Sequence, residues 1–532
     1  MGERNLSVAR RTLRTGVATG LLAMSLAGPS HAQSPAVGAT PDRAAALATA
    51  FPDIDRIFTE YARTAHVPGM AWGVIVDGRL VHTGTFGVQD VTTQAPVTAD
   101  TVFRIASMTK SYTAAAILML RDEGKLSLDD PAERYVPELK ALAYPTTDSP
   151  RLTVRHLLTH ATGFPEDNPW GDQQLAVTDA QMDALMRQGI PFSTPPGLAY
   201  EYSNYGFAIL GRIVTNVAGM PYREYVRTRL LVPLGLSDTT LDAPAVPPAR
   251  LAHGYRWEDE RWKEEPPLPD GAFGAMGGML TSLRDLAAYV AWHMDAWPAR
   301  DGAEAGPLRR SSRREMQQVW RTATALARVL PGGGVQLQSG GYGYGLRVSQ
   351  TCEFSHVVAH SGGLPGFGSQ MRWLPEHGVG LVAMGSLTYT NWGPRFDAAL
   401  AALSRTAALV PRQPQPSAAL VGMRADVTRL IQQWDDGLAE RIAANNLYLD
   451  VAKERRKRSF EQLREKHGAC RADGPLVAEN ALRGEWVMPC ERGALRVSIT
   501  LAPIVPPKVQ FLSVRSAETT APPTPGPTTC LQ

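Results

Sequence analysis

Two periodicities alternate along the chain. Residues 44–65 place Phe51, Ile54, Ile57, Phe58 and Tyr61 on one side, the spacing of an amphipathic helix. Residues 70–76 and 79–86 are strand-like runs around Asp77-Gly78, the signal of a tight hairpin. Helical spacing then returns over 108–122, 153–160 and 178–188. Thr178 with Gln181, and Ser282 with Asp285 ahead of a helix over 283–294, have the spacing of capping boxes. Strand character comes back over 343–386 and ends in a hairpin, 368–374 and 379–386, turned by Pro375-Glu-His-Gly378. A last helix is expected near 394–405. Strands at both ends and helices between them predict an α+β fold: an antiparallel sheet flanked by helices, an all-helical lobe beside it, and a site between the two.

The pattern changes after residue 410. Pro411-Arg-Gln-Pro-Gln-Pro-Ser417 reads as a semi-rigid linker that closes a main domain over 44–410. Val427, Leu430, Ile431 and Trp434 recur at helical spacing, and a charged helix over 447–467 stops at Gly468. Residues 486–490, 495–501 and 509–514 read as strands. Residues 418–518 thus form a small α+β appendage of unassigned role, and 519–532 are a Pro/Thr-rich tail expected to be disordered. The basic run Lys453-Glu-Arg-Arg-Lys-Arg458 reads as a solvated helix face. Trp434, Tyr448 and Trp486 read as core rather than as a ligand groove.

Composition adds a destination. Hydrophobic residues at 44% and charged residues at 20% are those of a globular protein. Residues 1–32 resemble an export signal: Arg4, Arg10, Arg11 and Arg14, an apolar stretch over 17–27, then Ser30-His31-Ala32. The stretch is too short for a permanent anchor, so the expected location is periplasmic or extracellular, with no membrane span after cleavage. Residues 33–43 read as a small-residue linker. Losing residues 1–32 removes four Arg and one Glu and takes the formal charge from +3 to 0. A neutral chain offers no general field for nucleic acid. Cys352, Cys470, Cys490 and Cys530 permit three pairings; Cys470 with Cys490 is favoured because they lie close in sequence. None has metal-ligand spacing. Nothing in the pattern sets an oligomeric state.

The candidate chemistry is in three motifs. Ser107-Met-Thr-Lys110 opens the helix over 108–122, which places a hydroxyl and an amine three residues apart on one face. Tyr202-Ser203-Asn204 follows the turn Pro195-Pro-Gly197 and precedes an apolar helical run. His360-Ser361-Gly362-Gly363 precedes the last hairpin. A serine, a lysine, a tyrosine, an asparagine and a glycine-rich edge strand make a complete set for acyl transfer.

In order and spacing these motifs resemble the serine β-lactamase and penicillin-binding-protein superfamily, in the branch with class C β-lactamases, D-peptidases and related esterases. That family carries S-x-x-K, Y-x-N and K-T-G or H-x-G. The resemblance covers about residues 50–405 and takes in Leu157-Leu-Thr-His-Ala-Thr-Gly163 and Gly274-Ala-Met-Gly-Gly-Met-Leu-Thr-Ser282. It implies Ser107 as nucleophile, with Lys110 and Tyr202 moving its proton. It implies backbone N–H groups of Ser107 and Gly363 around the oxyanion, with Asn204, His360, Ser361 and Gly362 on the substrate. It implies no metal and no cofactor; the partner is a small-molecule or peptide substrate. There is no intact G-x-S-x-G, which argues against an α/β-hydrolase.

Three physical conditions follow. A lysine of ordinary basicity is neutral in about one molecule in 2,500 at pH 7, and making it half-neutral takes about 4.6 kcal/mol, so Lys110 must be buried or crowded by cations. If it stays charged, it can instead lower Tyr202 until the phenolate is the base. His360 stands where the β-lactamase pattern has a lysine, and an imidazole is mostly neutral at pH 7. Esters, amides or D-amino-acid peptides are therefore favoured over efficient β-lactam turnover. The alternatives are a true β-lactamase or a non-catalytic sensor of cell-wall fragments on the same fold. Ser107 could also be a helix cap. His160 is expected to cap its own helix, and Asn204 to bond a substrate amide. Loops over 165–175 and 255–275 are expected to shape the cleft.

Overall fold

The first strand-like run becomes β1 (Gly69–Val76), buried along its whole length, and its partner is β2 (Arg79–Asp90). Asp77 and Gly78 between them both have positive φ, 47° and 82°, as a two-residue turn between right-twisted strands requires. β2 continues to a short third strand, β3 (Ala95–Pro96). After the helical middle of the chain come β4 (Arg321–Val329), β5 (Val335–Tyr342), β6 (Arg347–Thr351), β7 (Val357–Leu364), β8 (Phe367–Leu374) and β9 (Val379–Gly385). They make one antiparallel sheet in the order β3-β2-β1-β9-β8-β7-β6-β5-β4. Met70 lies opposite Gly385 and Val76 opposite Val379, so the early and late strands meet in the sheet centre, as expected. These statements come from a computed structural model describing residues 41–304, 306–329 and 335–518.

The period of two sorts β1 between two cores. Met70, Trp72, Val74 and Val76 pack with Ile54 and Phe58 of the helix Phe51–Thr64 and with Phe396 of the helix Gly393–Ser404. Ala71 and Ile75 face the other way, toward Leu286 and Val290 of the helix Leu283–Met294. That second core continues into the helical lobe. At its centre is α1 (Thr109–Asp122), buried on every side from Thr109 to Leu120, which suits its apolar and small residues. Against it packs α2 (Asn204–Ala218). The fold is the expected antiparallel sheet with flanking helices and a helical lobe.

The C-terminal segment has a core of its own, with Leu420, Leu430, Phe460, Trp486 and Val497 among its members. Its sheet has four antiparallel strands, Val477–Asn480, Arg483–Cys490, Gly493–Leu501 and Val509–Ala517, stapled by a Cys470–Cys490 disulfide. Trp486 is fully buried, and Trp434 and Tyr448 pack against the same cluster, so these aromatics are core. In the basic run, Lys453 pairs with Glu440 on the surface.

Several local expectations change. Residues 44–65 form two helices, Pro41–Ala48 and Phe51–Thr64, because Pro52 favours a fresh helix start; the linker over 33–43 therefore yields to helix at Pro41. The charged helix over 447–467 breaks into Leu447–Asp450 and Lys453–His467 at Val451, whose backbone is extended. β4 and β5 begin ahead of residue 343; the alternation of β4 is between Thr and Ala, whose polarity contrast is too weak to announce a strand. Ser282 caps its helix through the Asp285 N–H, but the Asp285 carboxylate turns to the Asp238 N–H and the Thr239 hydroxyl, so only half of a capping box forms. Thr178 and Gln181 form a full one. No helix among the described residues is long and apolar enough to cross a membrane. The export signal, most of the linker after it, Cys530 and the C-terminal tail lie outside the described residues.

Candidate active site

Ser107 sits in a single 3-10 turn, Ala106–Met108, that leads into α1. Ala106 has φ of 49°, a left-handed conformation costly for a residue with a Cβ. The turn is clamped from the sheet. The Ser369 hydroxyl of β8 donates to the Ile105 carbonyl at 2.8 Å, and a Cβ on Gly362 of β7 would lie 2.1 Å from that carbonyl oxygen. Ser107 is not the cap of α1: the residue before the helix is Met108, and no side chain caps it.

Lys110 lies one turn along and is fully buried. Its Nζ contacts Asn204 Oδ1 at 2.6 Å, the Met276 carbonyl oxygen at 2.8 Å and Ser107 Oγ at 3.1 Å. Two of these partners can only accept. A neutral amine has two N–H groups and one lone pair, so the lone pair is left for the Ser107 hydroxyl. Burial brings Lys110 down to about 7; Asp172 and Asp167 pull it up and Arg347 pushes it further down. The condition set by the sequence, a lysine half-neutral near pH 7, is therefore met by removing the ammonium from water.

Tyr202 behaves in the opposite way. Burial pushes its phenol well above the ordinary value, against the pull of a hydrogen bond from Ser107. Burial thus favours the protonated phenol at Tyr202 and the neutral amine at Lys110. Asn204 accepts from Lys110 and donates one Nδ2–H to Asn168 Oδ1 at 3.1 Å, so each end of its amide has a protein partner and a second N–H remains. Ser203 caps α2 through the Gly206 N–H, and Asp167 adds a second cap by accepting from the Asn204 and Tyr205 N–H groups.

His160 closes its own helix, Val154–Leu158, through its backbone: it is the left-handed residue after the cap, and the Ala161 N–H returns to the His156 carbonyl at 2.9 Å. His160 has φ of 54° and a fully buried ring whose Nδ1 accepts the Ser203 N–H at 3.0 Å, while the ring centroid lies 4.2 Å from that of Tyr202. It holds the Tyr202-Ser203-Asn204 segment in place, and burial keeps it neutral. His360 is also buried. Its Nδ1 faces the Ser361 carbonyl at 2.7 Å and so carries the proton, leaving Nε2 to accept from the Tyr342 hydroxyl at 2.7 Å. Burial, helped by Arg347 and Lys110, brings His360 down to about 3.

These residues meet at a cleft of about 380 Å³ between sheet and lobe, lined by Ser107, Tyr202, His360, Ser361 and Gly363. Lys110, Asn204 and Gly362 are buried and are not among the lining residues. β6 pairs with β7 only as far as Ala359, so residues 360–364 run as a free edge along the cleft. The loop over 165–175 contributes Asn168, Pro169 and Asp172. The 255–275 segment contributes no lining residue; the N–H groups of Gly271 and Ala272 instead tie down Leu175 and Val177. Among the described residues no group of three or more His, Cys, Asp or Glu is placed to hold a metal ion.

Sequence reasoning missed Arg347, Asp172, Tyr389 and the Met276 carbonyl. Arg347 pairs across the sheet with Ala359, beside His360, and its guanidinium lies 5.9 Å from the Tyr202 ring centroid. It opens to the cleft, and among the described residues no carboxylate forms an ion pair with it. Its one signal was its place on the strand preceding the His360 motif.

Comparison with known proteins adds the following. Residues 54–406 match the family model described as Beta-lactamase. The chain is 24% identical over 412 residues to penicillin-binding protein 4* of Bacillus subtilis, covering 72% of this chain and 84% of that protein. It is 32% identical over 244 residues to a beta-lactamase of Lysobacter lactamgenus, covering 46% and 60%. It is 26% identical over 335 residues to protein flp of Staphylococcus aureus, covering 63% and 62%. The chain thus spans about three fifths of the length of these last two. In fold it is similar to the octameric penicillin-binding protein homologue from Pyrococcus abyssi, with a TM-score of 0.56, 21% identity, and coverage of 88% of this chain and 98% of that one.

Proposed function

The chain belongs to the Beta-lactamase family, and from that premise we propose that it is a serine hydrolase that forms a covalent acyl-enzyme on small amides, esters or D-amino-acid peptides. The observation that carries the reading is the set of three contacts at Lys110. Two acceptor-only oxygens take its N–H groups and the third partner is the Ser107 hydroxyl. Ser107 Oγ attacks the carbonyl carbon while its proton passes to Lys110 Nζ. The oxyanion is taken by the N–H groups of Ser107 and Gly363, donors worth about 3–4 kcal/mol each in the transition state. The bond to the leaving group then breaks, and the leaving atom receives a proton from Tyr202, which Lys110 replaces. Water adds to the acyl-enzyme by the reverse route.

Arg347 revises the substrate expectation. His360 is neutral, yet a guanidinium that forms no ion pair among the described residues stands beside it, so the cleft does carry a cation for an anionic group. This favours substrates with a carboxylate on the leaving side, such as peptides ending in a D-amino acid. A β-lactam carboxylate is the second reading that Arg347 permits. In this reading Asn204 orients Lys110, and its second Nδ2–H can donate to a substrate amide. We also propose that residues 1–32 are an export signal and that the enzyme works in the periplasm or outside the cell.

The test is intact-mass analysis after treatment with a fluorophosphonate. One adduct is expected on the full chain and none on Ser107→Ala; equal labelling of both ends the proposal. Turnover of an N-acylated D-alanyl-D-alanine peptide, p-nitrophenyl acetate and a chromogenic cephalosporin then ranks the substrate classes.

A further inference from the structure

Asp172 is a cleft-lining carboxylate that faces Lys110 without an ion pair and keeps an idle oxygen. It is 4% exposed and lies at the end of the short helix Asn168–Gly171. Its Oδ2 accepts one hydrogen bond, from the Tyr389 hydroxyl at 3.0 Å, and its Oδ1 has no partner among the described residues. No basic side chain among the described residues forms an ion pair with it. Its neighbour Asp167 is different: both oxygens are used to cap α2, which explains that residue fully. A buried carboxylate with an idle oxygen costs free energy that an arriving cation recovers.

Tyr389, the one partner, is placed to give way. It is about half exposed, has φ of 50°, and leans over Gly363, where a Cβ would lie 2.6 Å from its ring. It follows β9 on the sheet side, whereas Asp172 belongs to the lobe side, so their hydrogen bond crosses the cleft. The cleft therefore presents a carboxylate from the lobe and a guanidinium, Arg347, from the sheet, with Ser107 in the same lining.

We propose that Asp172, with Tyr389 beside it, is a subsite for an ammonium group, and that the preferred substrates carry a free amine on the acyl side of the scissile carbonyl. This rests on the serine-hydrolase reading and narrows it. Together with Arg347 on the leaving side, it selects short zwitterionic peptides over N-blocked ones. The ammonium donates to Asp172 Oδ1, and to Oδ2 once the Tyr389 hydroxyl turns away.

The experiment compares D-alanine p-nitroanilide with N-acetyl-D-alanine p-nitroanilide, using the full chain at pH 7, where an α-amino group of ordinary basicity, about 7.7–8.0, is mostly protonated. A charge-assisted contact of this kind is expected to favour the free amine about tenfold to a hundredfold in kcat/KM. Asp172→Asn should bring that ratio toward one. A wild-type ratio at or below one overturns the subsite, and so does a preference that Asp172→Asn leaves intact. An equal fall for both anilides in the variant overturns it too, since that marks Asp172 as acting on the chemistry both substrates share, through Lys110. Hydrolysis of p-nitrophenyl acetate, which has neither charged group, reports on Ser107 alone. If it persists while the free-amine anilide is untouched, only the subsite fails. If it is absent as well, the hydrolase reading fails and takes the subsite with it.

Discussion

Asn204 Oδ1 lies 2.6 Å from Lys110 Nζ, closer than Ser107 Oγ at 3.1 Å. An amide oxygen accepts an N–H without adding charge, so it orients the lysine and leaves it free to be neutral. The opposite end of the same amide is fixed by Asn168, which stops it from turning over.

Asn204→Asp keeps the size of the side chain and adds a charge where neutrality matters. A carboxylate at about 4 Å from an ammonium stabilises it by about 4 kcal/mol at an effective dielectric of 20. That traps Lys110 protonated at pH 7. Acylation should fall at least about a hundredfold, with partial recovery toward pH 9, while thermal unfolding shows an intact fold. Stopped-flow acylation across pH decides it, and a variant as fast as wild type at pH 7 would remove Lys110 from the role of base.

The wild-type pH profile should show one acid limb, and its sign is fixed by which form is active. The neutral amine accepts the Ser107 proton, so acylation is slow at pH 5, half-maximal near 7 and level above. The groups facing Lys110 are Asp172, Asp167, Arg347, His160, His360 and Tyr202, and His360, brought down to about 3, lies below this window. Burial holds His160 well below this window and Tyr202 well above it, so neither supplies the limb. Asp172, pushed up by burial to about 6, raises Lys110 when ionised. Asp172→Asn should therefore move the limb to lower pH; movement to higher pH would contradict the assigned electrostatics. The stability sign runs with it. The folded state holds the Lys110 proton less tightly than the unfolded chain, so the burial penalty is full below about pH 7 and fades as pH rises toward the ordinary lysine value.

The three motifs were legible because their chemistry is local. Ser107 and Lys110 are neighbours on one helix, and Ser203 announces the start of α2 as an N-cap. The sheet was legible where burial on one or both faces leaves a period, as in β1, and illegible in β4, whose Thr and Ala give too weak a contrast. What sequence could not supply was the company each residue keeps. Arg347 is one arginine among many until β6 pairs beside β7, and Asp172 is one acid in a loop until its oxygen is found idle. His160 was legible as the end of its helix, but its ring's partner, the Ser203 N–H, is 43 residues away and left no local signal.

Two adjacent glycines separate scaffold from chemistry. A Cβ on Gly362 would lie 2.1 Å from the Ile105 carbonyl oxygen and 2.4 Å from Ser369 Oγ. The first is backbone and the second is the donor that clamps it, so neither yields without moving the turn that carries Ser107. A Cβ on Gly363 would meet the Tyr389 ring at 2.6 Å, a half-exposed side chain that can swing aside. Gly362→Ala should therefore cost about 1–3 kcal/mol or more of stability, the range of overpacking in a filled core, and should lower Ser107 acylation at least about tenfold. Gly363→Ala should cost less stability, because its neighbour is mobile. Chemical denaturation of the two variants, with fluorophosphonate labelling rates beside it, reads both effects. If Gly363→Ala proves the more destabilising of the pair, the sheet does not brace the nucleophile turn through Ile105, and the strain at Ala106 must be held by contacts within the lobe.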